Sequence, residues 1–207
     1  MILVNQREIT EILGSWLAIS VAFAWILQNP LPGQTLAQSF LPALLISLVA
    51  VGTGFIFHEL AHKYMAIHYG ARAEFFAWPM GLAIALLLAF SVGFIFAAPG
   101  AVYIFARHLS KKQNGIISVV GPIVNIILGG LFLLFAFLVL PTKNDFLITM
   151  GFLASYINFV LAAFNLLPFG PLDGKKVYNW NPIVWAICFF PLVWIYFSFS
   201  SFISLLL

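Results

Sequence analysis

The sequence predicts an all-α polytopic membrane protein of five to six transmembrane helices, with a membrane-embedded re-entrant or β-hairpin element near 75–103. Three observations carry this. Of 207 residues, 63% are hydrophobic and 7% charged, whereas a soluble domain has roughly a quarter of its residues charged. Five apolar stretches are long enough for helices that cross a bilayer core, which takes about 20 residues. Eight of the nine basic residues fall on one side of the membrane once a sixth, ambiguous stretch is allowed to turn back. A net charge of +3 does not make a nucleic-acid partner, because cations scattered around apolar spans form no phosphate-tracking groove. Cys188 is the single cysteine, so disulfides within the chain are excluded.

In chain order, the first span covers 12–28. Glu8 and Glu11 precede it, and acids there argue against a cleaved signal peptide. The connector Gln28–Gln34 holds Pro30, Pro32 and Gly33 and reads as a loop. The second span covers 40–66. The stretch 75–98 is apolar, yet Pro79, Gly81, Gly93, Pro99 and Gly100 bracket and interrupt it, and broken backbone at membrane depth is tolerated only where protein buries it or water lines it. Spans at 115–140, 146–167 and 183–207 follow. No linker, repeat or appended soluble domain is legible, so 1–207 reads as a single integral membrane domain.

Charge decides how 75–98 runs. If it crosses fully, Arg7, Lys63, Arg72 and Lys143 face Arg107, Lys111, Lys112, Lys175 and Lys176 across the membrane, which is no bias. If it returns to the side it came from, eight cations share one side and only Lys143 is opposite. Because basic residues near span ends stay cytoplasmic, five crossings plus one returning element is the expected topology, with the N-terminus inside.

Late in the second span the chain reads Phe57-His58-Glu59-Leu60-Ala61-His62, an H-E-x-x-H motif. Residues four apart share a helix face, so His58 and His62 can aim at one point, while Glu59, about 100° round the helix, reaches the flank of that point. Two histidine ligands and a carboxylate base are the parts of a zinc hydrolase. Chance is a poor explanation in a chain with four histidines and six acids, since ionisable groups in a span are costly.

A catalytic zinc takes three protein ligands. Glu8, Glu11 and Asp145 are expected at surface ends, and His68 at the membrane interface beyond reach; Glu74 and His108 are the other candidates. Asp173 lies in Asn165-Leu166-Leu167-Pro168-Phe169-Gly170-Pro171-Leu172-Asp173-Gly174, where breakers interrupt the apolar region. It is either an ordinary Asp-Gly turn or part of a site at a broken helix, and only the returning topology puts it on the same side as His62.

Together with Gly121-Pro122-Ile123-Val124-Asn125, these motifs, in this order over roughly 50–180, resemble the site-2 protease family of intramembrane zinc metalloproteases. The resemblance implies one Zn2+ held by His58, His62 and Asp173, with Glu59 as catalytic base. It places Asn125 near the active site, where it either holds substrate or an oxyanion or makes an interhelical hydrogen bond; Asn165 carries the same two readings. It implies a catalytic core at about 40–180, with accessory spans at 12–28 and 183–207, in a minimal form lacking PDZ or CBS domains. Lys175-Lys176 after Asp173-Gly174 departs from the glycine and basic residue often found there. The expected activity is hydrolysis of peptide bonds in or near transmembrane helices of membrane-protein substrates, in a multi-pass protein of a prokaryotic cell membrane whose active site opens to the cytoplasm. The partners expected are the substrate helix and the lipid bilayer, with no nucleic acid. The rival reading is a metal-ion transporter whose intramembrane His and Asp ligands form a transit site.

Overall fold

Each of the five long apolar stretches is helical, and most begin where the sequence can cap a helix. The computed structural model of the chain describes residues 4–28, 33–95 and 100–206; Pro30, Pro32 and Pro99 lie outside them. Helix α1 (Gln6–Leu27) starts at a capping box in which Asn5 Oδ1 accepts from Glu8 N and Glu8 Oε2 from Asn5 N, the reciprocal arrangement that satisfies two free donors. Helix α2 spans Leu36–His68 and α4 spans Lys111–Val139, the latter capped by Ser110 and Gln113. Helix α5 (Asp145–Asn165) is capped by Asn144, and α7 (Pro182–Leu206) by Asn181 Oδ1, which accepts from Ile183 N and Val184 N. Helices α1, α2, α4 with the turn extending it to Thr142, and α5 are long and apolar enough to cross a membrane, and α7 is apolar over Pro182–Ser198. This is an all-α membrane protein with one small sheet among the described residues.

The strands of that sheet flank the ambiguous stretch 75–98, most of which is itself a short helix. Strand β1 (Arg72–Ala77) pairs antiparallel with β2 (Gly100–Phe105), Arg72 opposite Phe105 and Ala77 opposite Gly100. Between them, α3 (Pro79–Val92) starts with proline in its first turn and ends on Gly93 with φ +68°, the left-handed cap that glycine supplies without strain. Helix α3 runs beside α1, with Trp25 edge-on to Phe90 at 5.0 Å. Phe75 is buried and packs edge-on against Phe55 of α2.

The carboxylates of α1 hold the outer edge of β1. Glu8 Oε1 accepts from Phe75 N at 2.8 Å, and Glu11 Oε2 accepts from Ala77 N at 2.8 Å. Alternate residues of a strand present their N–H groups to the same edge, so these two acids, three apart on a helix, match two donors two apart on a strand. Glu8 was expected at a surface end, and the structure corrects this. It is 1% exposed and paired with Lys63 Nζ at 2.5 Å, because β1 folds over the start of α1 and covers it. Glu11 remains partly exposed and pairs with Arg7, which also meets Glu74 and lies over the ring of Phe76.

Helix α5 stops at Asn165, and α6 (Asp173–Trp180) begins on Asp173 itself. Asp173-Gly174 is therefore the first turn of a helix. Gly174 is needed there for closeness, since a Cβ on it would overlap the carbonyl of Leu166. The same carbonyl accepts from Trp185 Nε1 of α7 at 2.7 Å, so the corner that sets Asp173 is pinned from two sides.

The Glu8–Lys63 pair gives a stability test. Glu8→Leu strands a buried ammonium and is expected to cost about 3 to 5 kcal/mol, read as a lower midpoint of thermal unfolding in detergent. Adding Lys63→Met should make the double variant more stable than Glu8→Leu alone.

Candidate metal centre

Two helices deliver the site. His58 and His62 sit one turn apart on α2, and Asp173 opens α6; their ligand atoms lie within 4.8 Å of one another, with both histidines buried. His58 Nε2 and His62 Nε2 are 3.0 Å apart. Asp173 Oδ2 lies 3.3 Å from the first and 2.9 Å from the second.

The other ring nitrogens explain what these atoms are doing. His58 Nδ1–H donates to Asn125 Oδ1 at 2.5 Å, and His62 Nδ1–H donates to the Ile117 carbonyl at 2.6 Å. With Nδ1 protonated in each neutral ring, both Nε2 atoms carry lone pairs, and they converge with a carboxylate oxygen. Three electron pairs facing one another with no hydrogen between them repel, and a cation at their centre removes the repulsion. Two imidazoles and a carboxylate are a zinc donor set, and ligand atoms of a tetrahedral site with bonds of about 2.0–2.2 Å stand roughly 3.3–3.6 Å apart, close to the separations here. The residues present fit zinc.

Helix α4 is shaped to admit the histidines. A Cβ on Gly121 would collide with both Nε2 atoms, so the absence of a side chain leaves the space that the imidazoles enter. Pro122 offers no N–H to the Ser118 carbonyl and crowds it, which loosens the helix in the turn beside the Ile117 carbonyl that serves His62.

Asn125, fully buried, is committed behind the metal point: its oxygen takes the His58 Nδ1–H, and its amide donates to the Gly54 carbonyl and to Asn158 Oδ1, both at 3.1 Å. These are interhelical hydrogen bonds, and they use both amide hydrogens. Asn165 Nδ2 donates to the Leu161 carbonyl of its own helix at 3.0 Å, and its side chain lines the cavity.

Glu59 is buried beside the two histidines but its carboxylate turns to the sheet, where Oε2 accepts from Val102 N at 3.1 Å. His58, Glu59, His62 and Asp173 line one cavity of about 300 Å³, walled by apolar side chains that include Phe23, Val51, Phe55 and Phe164. Lys176 reaches the same cavity and stands 3.6 Å from Asp173 Oδ1, so the oxygen of Asp173 turned away from the imidazoles faces a cation. His68 and His108 are exposed, as is Asp145, and Glu74 pairs with Arg7 and Arg72; none joins the cluster.

Sequence reasoning missed three contributors. Asn158 of α5 was legible, because a polar residue in the middle of an apolar span is a functional flag. The Ile117 carbonyl and the Val102 amide were not, being backbone groups that only the fold aims.

No protein-family model matches the chain, and no solved structure does. The chain is 41% identical over 189 residues, covering 91% of it and 92% of its relative, to the Methanocaldococcus jannaschii protein named "Putative zinc metalloprotease MJ0611". It is 30% identical over 155 residues, 67% of it and 68% of the relative, to the Bacillus subtilis protein named "Putative zinc metalloprotease YwhC". With that share of each relative covered, the chain belongs to the family of these two proteins, which bear the name of zinc metalloproteases.

Proposed function

We propose that the chain is an intramembrane zinc metalloprotease of the site-2 protease type, hydrolysing peptide bonds in or near transmembrane helices of membrane-protein substrates. The observation that carries this is the convergence of His58 Nε2, His62 Nε2 and Asp173 Oδ2 in an apolar cavity that also holds Glu59. These three residues would hold one zinc ion per chain, which supplies Lewis-acid activation of water and of the scissile carbonyl. Glu59 accepts the proton of the attacking water on its carboxylate and delivers it to the leaving amine nitrogen. Asn125 keeps His58 in the tautomer whose Nε2 is free, and Asn165 serves as a substrate contact at the cavity wall. The transport reading is not favoured: both relatives bear protease names, and transport leaves Glu59 without a task.

A helix hides its carbonyls in hydrogen bonds, so the substrate enters unwound. Strand β2 can receive it by strand addition, because Gly100, Val102 and Ile104 line the cavity while the outer edge of β1 is taken by Glu8 and Glu11. The apolar cavity walls suit the side chains of a former membrane span.

The segment 72–105 acts in this reading as a re-entrant element. Helix α3 has 14 residues, about 21 Å of helix against a hydrocarbon core of about 30 Å, and the pairing of Ala77 with Gly100 returns the chain to its starting point. Lys63 is buried against Glu8 and drops out of the count of loop cations, which leaves seven on one side and Lys143 on the other. The N-terminus and the site opening then face the cytoplasm of a prokaryotic cell, and the chain crosses its membrane several times.

Three outcomes are expected. In detergent, with an internally quenched apolar peptide, Glu59→Gln lowers kcat at least about a hundredfold while elemental analysis still finds zinc, whereas His58→Ala or Asp173→Ala loses zinc and activity together; full activity in Glu59→Gln sinks the reading. Competition with a chelator shows zinc affinity reduced about ten- to a hundredfold in Asn125→Ala and unchanged in Asn165→Ala, which raises KM instead. In a Cys188→Ser background, cysteines introduced by Gln6→Cys and His108→Cys react with an impermeant maleimide from the same membrane face; labelling from opposite faces rules out re-entrance.

A further inference from the structure

The sheet next to the metal point has two outer edges, and carboxylates hold both, but not in the same way. On β1 the acceptors are anchored: Glu8 is tied by Lys63 and by Asn5 N, and Glu11 by Arg7. On β2 the acceptor is Glu59, which makes no ion pair within 4 Å among the described residues, Lys176 acting on it only across the cavity, and whose bond there is to Val102 N at 3.1 Å. Because Phe75, the residue paired with Val102, sends its own N–H outward to Glu8, this pair is a non-hydrogen-bonded one and both its N–H groups face away from the ladder. Val102 N–H is thus the middle outward donor of β2, flanked by those of Gly100 and Ile104, which share its phase in the strand.

A peptide strand added to β2 needs that donor. A single N–H does not serve a buried carboxylate and a substrate carbonyl with good geometry at once, so one of them must leave. We infer that the Val102 amide is a positioning group for Glu59: it holds the carboxylate against the sheet in the free protein and gives it up to the metal point when an extended substrate's carbonyl takes the N–H. The general base is released by strand pairing itself, which ties hydrolysis to segments long and extended enough to pair. This rests on the protease reading of the site, and assigns to a backbone group the coupling between substrate docking and catalysis.

The test uses the full-length, zinc-loaded protein in detergent and two internally quenched apolar probes, an octapeptide long enough to pair with β2 and a tripeptide too short to do so. Proline suits an outward-facing position of an edge strand, so Val102→Pro and Ile104→Pro each delete one outward donor and no ladder bond. For the octapeptide both variants are expected to raise KM about three- to tenfold, the loss of one hydrogen bond. For the tripeptide, which cannot displace Glu59, the wild type turns over slowly and Val102→Pro raises its kcat at least about tenfold. A backbone ester at position 102, which removes the N–H without restricting φ, should behave as Val102→Pro does and covers the case in which proline disturbs the sheet. Equal tripeptide kcat in wild type and ester, with zinc content intact, overturns the inference and leaves the protease reading standing. Octapeptide cleavage that survives Glu59→Gln overturns the protease reading.

Discussion

The hydrogen bond from His58 Nδ1 to Asn125 Oδ1 is the contact around which the helices are arranged. In hydrocarbon there is no water to satisfy a stranded donor or acceptor, so each group in the chain of bonds must find its neighbour. The ring N–H goes to Asn125, the Asn125 amide to Asn158 and to the Gly54 carbonyl, and the Asn158 amide to the carbonyls of Ala154 and Ala50. That sequence of donors joins α2, α4 and α5 at one level. It also requires backbone closeness, which explains why α2 carries Gly54, where a Cβ would press on Asn158, and α4 carries Gly121, where a Cβ would strike the imidazoles. Packing and chemistry share one cause here: the bonds that hold the helices together also leave Nε2 of His58 bare.

An open two-stranded sheet packed among apolar helices leaves strand edges whose unpaired groups are costly. The fold meets that cost by lending side chains to the edges. Two acids of α1 close one edge permanently, and α2 lends the other edge the carboxylate of Glu59. Helix α1, read from sequence as an accessory span, thereby carries the outer support of the sheet, and Lys63, one residue beyond His62, carries the charge that makes this support tolerable in an apolar interior.

The parts written in side-chain chemistry and in helical period were legible beforehand. His58, Glu59 and His62 announced themselves by spacing, and the breakers around Asp173 pointed to an interrupted span. Long-range pairing was legible only as a re-entrant or β-hairpin element near 75–103, not as the residues that pair. Nothing local in Arg72–Ala77 distinguishes a strand from the first turns of a helix, and its conformation is decided by β2, more than twenty residues on, and by acceptors on α1. Glu8 looked like a surface residue because its partner, Lys63, is 55 positions away. Gly174 looked like half of a turn, although its reason is the Leu166 carbonyl against which it packs.

The pairing of Glu8 with Lys63 also constrains how the chain is made. As α1 emerges during synthesis, its first turn carries a carboxylate whose cation has not yet been translated and whose strand donor, Phe75 N, comes later still. The start of α1 therefore has to stay hydrated at the membrane surface until α2 has arrived, and only then can it settle under β1. The final seat of α1 thus depends on groups that follow it in the chain, Lys63 of α2 and the Phe75 amide of β1.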